Sequence, residues 1–206
     1  MSVAHGEQVR VLEEEHGQVG ERSLNWWGMV FFIASEALIF ANLIAAYLYL
    51  EIRNNNDIWQ LPHSNLFLPL LNTAILLGSS VSVHFAGTGI RKGNVRQLII
   101  GLSVTIFLGA CFLVGLAYEW TSLIADEHFS ISSSIFGSAF FTLTGFHGLH
   151  VTIGAIFLAV CLVRATKGHF SKQQHFAVQA AEMYWHFVDV VWLFVVTLVY
   201  FVPLFR

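Results

Sequence analysis

Charge is scarce in this sequence. Asp, Glu, Lys and Arg make up 11% of its 206 residues, against about 25% in an ordinary soluble domain. Proline occurs three times and cysteine twice. Cys111 and Cys161 stand in separate apolar runs, with no CxxC or CxxCH spacing. That excludes a disulfide framework, a cysteine zinc knuckle and covalently attached haem, and both residues read as small apolar packing groups. The basic residues are scattered and the net charge is −3, so no nucleic-acid face is present. A basic, then apolar, then small-residue leader pattern is missing too. Residues 1–25, with the acidic run Glu13-Glu14-Glu15, read instead as a solvated polar tail.

What fills the chain is oil. It is 56% hydrophobic and carries 19 Phe and six Trp, too much apolar material for one soluble core of this length. Five long apolar runs span about residues 26–50, 66–88, 97–119, 135–163 and 177–203. At roughly 1.5 Å of rise per residue, each crosses about 30 Å of hydrocarbon as a helix. Backbone amides need partners in lipid, and the two-residue alternation of a barrel strand is absent, so the runs are helices. The expected fold is an all-α integral membrane bundle of five transmembrane helices, residues 26–206 forming a single domain. Pro69 falls in the first turn of the second helix, where proline is tolerated. Helix contacts in lipid favour small residues, which singles out Gly78-Ser79-Ser80, Gly145 and Gly148.

Arg10, Arg22, Arg91, Lys92, Arg96, Arg164, Lys167 and Lys172 share one side of a five-span topology. They are eight of the ten basic residues, and only Arg53 and Arg206 fall on the other side. The N-terminus therefore faces the cytoplasm and the C-terminus the periplasm or exterior.

Polar groups inside the spans are the candidate functional residues, because hydrocarbon tolerates them only for a reason. Glu36, in FFIASEALIF, lies about 15 Å along the first helix from Trp26. Hydrocarbon disfavours a carboxylate against a carboxylic acid, so such a group suits either proton handling or a neutral interhelical hydrogen bond. His147 and His150, spaced by three, share part of one face of the fourth helix. Glu182, His186 and Asp189, spaced by four and three, share one face of the fifth. These five residues read as a structural polar seam between the two helices. The seam also admits a rival, a haem or di-iron oxidoreductase, although di-iron bundles use Glu-x-x-His pairs plus further carboxylates, and the fourth helix supplies no Glu beside its His pair. A second rival is a small proton-coupled transporter centred on Glu36; no internal repeat or proline-broken helix pair supports it. Arg164, Lys167 and His169, in RATKGHF, form a basic cluster suited to an anionic lipid headgroup or to ordinary positive-inside flanking.

YWHFVDVVWLF, residues 184–194, closely resembles the last-helix signature of subunit III of haem–copper respiratory oxidases. GSAFFTLTGFHGLHV, residues 137–151, resembles the preceding helix of that family, RATKGHFSKQQHF its basic connection, and WWGMVFFIASEALIF the helix bearing its embedded Glu. Four matches in order cover most of residues 26–203. The resemblance implies a non-redox subunit of a proton-pumping terminal oxidase that reduces oxygen to water. It implies no haem, copper or other metal in this chain, direct packing against subunit I in a complex with subunit II, and tightly held phospholipid. Five spans suit the shorter bacterial form, which lacks two helices of the seven-helix members, and hence a bacterial cytoplasmic membrane. Carried over by position, Glu36 matches the buried carboxyl associated with lipid and proton uptake. His150 matches a histidine near that carboxyl and lipid. Arg164, Lys167 and His169 match the headgroup-binding residues, and His186 with Asp189 a structural pair. Leu116 and Trp120 depart from the family's Gln-x-x-Glu-Tyr around Glu119. Glu182-Met183 replaces a common Ala-Trp, so the family assigns Glu182 no role.

Overall fold

The computed structural model describes residues 24–54, 59, 61 and 66–205. Most of the expected tail, together with Arg10, Arg22 and Arg206, lies outside them. Among the described residues the chain is all helix: α1 Leu24–Arg53, α2 Phe67–Arg91, α3 Val95–Ala125, α4 Ile135–Thr166 and α5 Phe176–Val196. A π-helical turn, Thr197–Phe201, and a 3-10 turn, Val202–Phe205, extend α5. All five helices are long and apolar enough to cross a membrane.

Each of the first four helices runs past the apolar run that predicted it. Hydropathy marks the part that needs lipid, whereas backbone hydrogen bonding continues into the polar interface and stops at a capping signal. Asn94 accepts from the Gln97 amide at 3.0 Å and starts α3. Ser134 accepts from the Gly137 amide at 2.9 Å and starts α4; both are N-cap contacts. Gly93, at φ +80°, makes the short α2–α3 connection possible, because a side chain resists that conformation. Pro69 does lie in the first turn of α2.

Two compact units divide within α1, residues 1–36 and 37–206. In the first, Trp26 and Trp27 meet edge to face with centroids 5.0 Å apart, and the Ser35 hydroxyl donates to the Phe32 carbonyl at 2.7 Å. In the second, α2 packs on α3, α3 on α4, α4 on α5, and α5 back on α2. The core is aromatic: Phe112, Phe136, Phe140, Trp185 and Trp192 are all buried.

Small residues set how closely these helices approach. A Cβ on Gly101 of α3 would lie 2.9 Å from the Ala86 backbone of α2. Trp185 of α5 occupies a slot between Gly109 of α3 and Gly154 of α4, where an added Cβ would come within 2.7 and 3.0 Å of the indole. Gly148 faces Leu116 at 2.9 Å and Gly145 faces Trp120 at 3.2 Å on the same basis. Lipid competes with any apolar surface, so close backbone approach and hydrogen bonds decide such contacts.

The Trp185 slot gives a direct check. Gly109→Val is expected to destabilise the protein by about 1–3 kcal/mol through overpacking, whereas Gly78→Ala, whose nearest neighbour lies at 3.9 Å, is expected to be neutral. Thermal denaturation of the two variants in the same detergent measures the difference; equal melting temperatures would remove the slot as a constraint.

Candidate functional site

The polar atoms of α5 run toward α2 as a ladder. Trp192 donates its indole N–H to the Thr73 hydroxyl at 2.9 Å. Two turns earlier, Trp185 donates to the Ser79 hydroxyl, also at 2.9 Å. His186 Nδ1 and the Ser80 hydroxyl share a 2.7 Å hydrogen bond. Asp189 is buried on the same face, beside Ser80. At the top of the ladder, the buried carboxylate of Glu182 accepts from Arg91 Nη1 at 3.1 Å through Oε2 and meets His84 Nδ1 at 2.9 Å through Oε1. Positions on α2 fall as those on α5 rise, the register of antiparallel neighbours.

This ladder redistributes the five residues joined by spacing. The hydrogen bonds of Glu182 and His186 run to α2, not to α4. His147, fully buried, stands between Phe112, edge to face at 5.6 Å, and Trp192, at 4.9 Å and 32°. Neither of its ring nitrogens has a hydrogen-bond partner among the described residues. His150 turns elsewhere: its Nδ1 donates to the Phe146 carbonyl at 2.7 Å, and its ring meets the Phe40 ring of α1 at 4.7 Å. Donation through Nδ1 leaves Nε2 as that ring's acceptor.

Glu36 is half-exposed on α1 and belongs to the first unit. Arg164, Lys167 and His169 are exposed at the C-terminal end of α4 and the turn beyond it. The Arg164 guanidinium lies 5.0 Å from the Phe170 ring centre, a cation–π contact that anchors its stem. Gly168, at φ +73°, turns the chain there. The Glu182–Arg91 pair joins the start of α5 to the end of α2, so Arg91, Lys92, Arg164 and Lys167 gather at one end of the bundle. The opposite end is acidic and aromatic. Tyr200 donates to Glu119 at 2.8 Å, Glu51 is buried, and Trp59 bridges Tyr47 and Phe136 with centroids 5.5 and 5.2 Å away.

Sequence spacing missed six partners in these networks: Thr73, Ser79, Ser80, His84, Arg91 and Tyr200. Their partners lie 81 to 119 positions away. The one local signal was a polar stripe on α2, Ser79, Ser80 and His84, inside an apolar run. His84, Glu182 and His186 bring three possible metal-donor atoms within 4.8 Å of one another.

With this geometry in place, comparison with known proteins is informative. Residues 8–203 match the family model described as cytochrome c oxidase subunit III. The chain is 43% identical over 181 residues to cytochrome c oxidase subunit 3 of Pisaster ochraceus, covering 84% of this chain and 68% of that protein. It is 42% identical over 192 residues to the Sus scrofa protein of the same name, covering 90% and 72%, and 45% identical over 175 residues to that of Gallus gallus, covering 82% and 66%.

Ser79→Ala leaves the Trp185 N–H without its acceptor. Interhelical hydrogen bonds in membranes average about 0.6 kcal/mol and reach roughly 1.7. A double-mutant cycle with Trp185→Phe is expected to return a coupling in that range; a coupling near zero would show that the hydrogen bond adds nothing to the slot packing.

Proposed function

Because the chain belongs to the cytochrome c oxidase subunit III family, we propose that it serves a terminal oxidase as a packing and lipid-holding subunit. It is a multi-pass membrane protein and a subunit III of a respiratory oxidase. The oxidase assignment displaces the haem, di-iron and transporter rivals. In the proposed complex, haem and copper reside in partner subunits, and this chain has no catalytic centre. Its direct partner is subunit I, with subunit II in the same assembly. The observation that carries the packing role is the bareness of α1. Trp27, Phe31, Phe32, Leu38, Ile39, Tyr49 and Ile52 are all exposed on that helix, an apolar surface that lipid or another membrane subunit must cover.

Two finer assignments follow from position and charge. Arg164, Lys167 and His169, exposed at the basic end, hold an anionic phospholipid headgroup, with His150 contributing to the lipid environment deeper in the helix. Glu36, a carboxyl well inside a spanning helix, touches lipid and assists proton uptake. The basic end supports a cytoplasmic N-terminus and a C-terminus on the outer side. Resemblance to the shorter bacterial form supports a bacterial cytoplasmic membrane.

Glu36→Gln keeps the shape and removes the acid. It is expected to leave the oxidase assembled but to alter its retained phospholipid or the pH dependence of turnover; no change in either would end that assignment. For the basic cluster, the double variant Arg164→Ala, Lys167→Ala is expected to lower the anionic phospholipid that co-purifies with the complex, read by quantitative lipid mass spectrometry. Wild-type lipid content in that variant would leave the cluster as ordinary flanking charge.

A further inference from the structure

Glu182 sits where α5 crosses α2. Its carboxylate lies over Gly87 of α2, so closely that a Cβ at Gly87 would collide with it. The side chain is nearly fully buried, at 8% exposure, while its neighbours open outward, His84 at 62% and His186 at 38%. Both imidazoles approach the same carboxyl oxygen, Oε1, at 2.9 Å from His84 Nδ1 and 4.0 Å from His186 Nε2. His84 stands two turns, about 10 Å, below the Arg91 end of α2.

We propose that His84, Glu182 and His186 form a non-catalytic site for a divalent transition-metal ion of the Zn2+ type, bridging α2 and α5. Three features carry this. First, the donor set is right. Two imidazoles and a carboxylate are borderline-soft nitrogen and oxygen ligands, as Zn2+ prefers, and three protein ligands leave an outer position for water. Second, the second shell already orients one ring. His186 Nδ1 is occupied by the Ser80 hydroxyl at 2.7 Å, which leaves Nε2 directed at Glu182 Oε1, 4.0 Å away. That separation is too long for a hydrogen bond. It is longer than the roughly 3.3 Å between two donors of a tetrahedral ion bound at about 2.0–2.1 Å, a difference that a small side-chain rotation closes. A hydrogen-bond partner on the far imidazole nitrogen is the usual companion of a metal-binding histidine.

Third, the remaining adjustment falls on the side chain free to make it. The three donor atoms lie within 4.8 Å of one another, so closing around a tetrahedral ion draws the widest pair together by at most about 1.5 Å. His84 is the exposed member. Its Nδ1 now meets Glu182 Oε1 at 2.9 Å, and an ion would take the place of that hydrogen bond, with the neutral ring carrying its one proton on Nε2 instead. Arg91 does not compete for that oxygen: it holds Oε2 at 3.1 Å, fixing the carboxylate with Oε1 turned inward. The site differs from the metal or haem arrangement that spacing suggested, because its third ligand comes from α2 rather than from His147 or His150 on α4.

The test uses the purified oxidase containing this chain, stripped with a chelator and dialysed against 65Zn2+. Wild type is expected to bind one more tightly held Zn2+ per complex than His84→Asn, a change at an exposed residue whose assembly into the complex is checked by subunit stoichiometry. Ser80→Ala, which frees the His186 ring, is expected to weaken that site by roughly 10–100-fold. Thermal denaturation adds a second readout: Zn2+ should raise the melting temperature of wild type and not that of His84→Asn. Equal Zn2+ stoichiometry and affinity in wild type and His84→Asn would overturn the proposal, as would the absence of tightly held Zn2+ attributable to this chain.

Discussion

The hydrogen-bonded ladder between α5 and α2 is the interaction on which the rest of this bundle depends. In water, a Trp N–H or a His ring can turn outward. In hydrocarbon it cannot, and an unpaired polar group becomes a penalty. Glu182, Trp185, His186 and Trp192 meet this by directing their polar atoms to Arg91, His84, Ser79, Ser80 and Thr73. One set of pairings therefore fixes neighbour, direction and register together. Sliding α5 by one residue would rotate it by about 100° and break every rung. Hydrophobic surface alone cannot do this, because lipid satisfies Leu and Phe as well as another helix does. Close packing completes the lock, with Trp185 seated between Gly109 and Gly154.

The ladder also organises charge along the bundle. Arg91 anchors one end through Glu182, beside Lys92 and the end of α4 with Arg164 and Lys167. Glu51, Glu119 and Tyr200 occupy the other end. A membrane protein with this asymmetry has a defined orientation and one surface suited to anionic headgroups. The middle is apolar and aromatic, interrupted on α4 by His147, whose ring lies on Trp192 and against Phe112. Such a scaffold suits a subunit that supports and seals a catalytic neighbour. Membership of the subunit III family gives that reading its chemical context: the oxygen chemistry belongs to the complex, of which this chain is one membrane subunit.

The spans were legible in the sequence because hydrocarbon demands apolar length, which hydropathy reports directly. Their ends were less so, since Asn94 and Ser134 start helices through capping, a signal independent of hydropathy. Gly145 and Gly148 were recognisable as contact residues because small side chains have few other uses in lipid. What spacing could not supply was partnership. Glu182 and His186 share a face, but nothing local says whether that face meets α4 or α2. The answer lay in His84 and Arg91, nearly 100 positions earlier. His147 and His150 illustrate the same limit at short range. They are about 60° apart on one helix, yet one enters the α3–α5 aromatic core and the other turns to Phe40. Glu119 was noticed, but its Tyr200 partner depends on the π-helical turn that ends α5, and no residue pattern announced that turn. Motif resemblance reached further than periodicity because it carries whole-helix context.

As a non-redox subunit of an oxygen-reducing complex, this chain should purify with redox centres that it does not itself hold. Affinity purification of the tagged chain from aerobically grown host membranes in mild detergent, followed by an absorption spectrum and oxygen uptake before and after the chain is dissociated, distinguishes the two. Haem absorbance and oxygen consumption are expected to accompany the intact assembly, and the dissociated chain to retain neither. A chain that purifies without any haem-bearing partner, or that keeps stoichiometric haem once separated, would contradict that role.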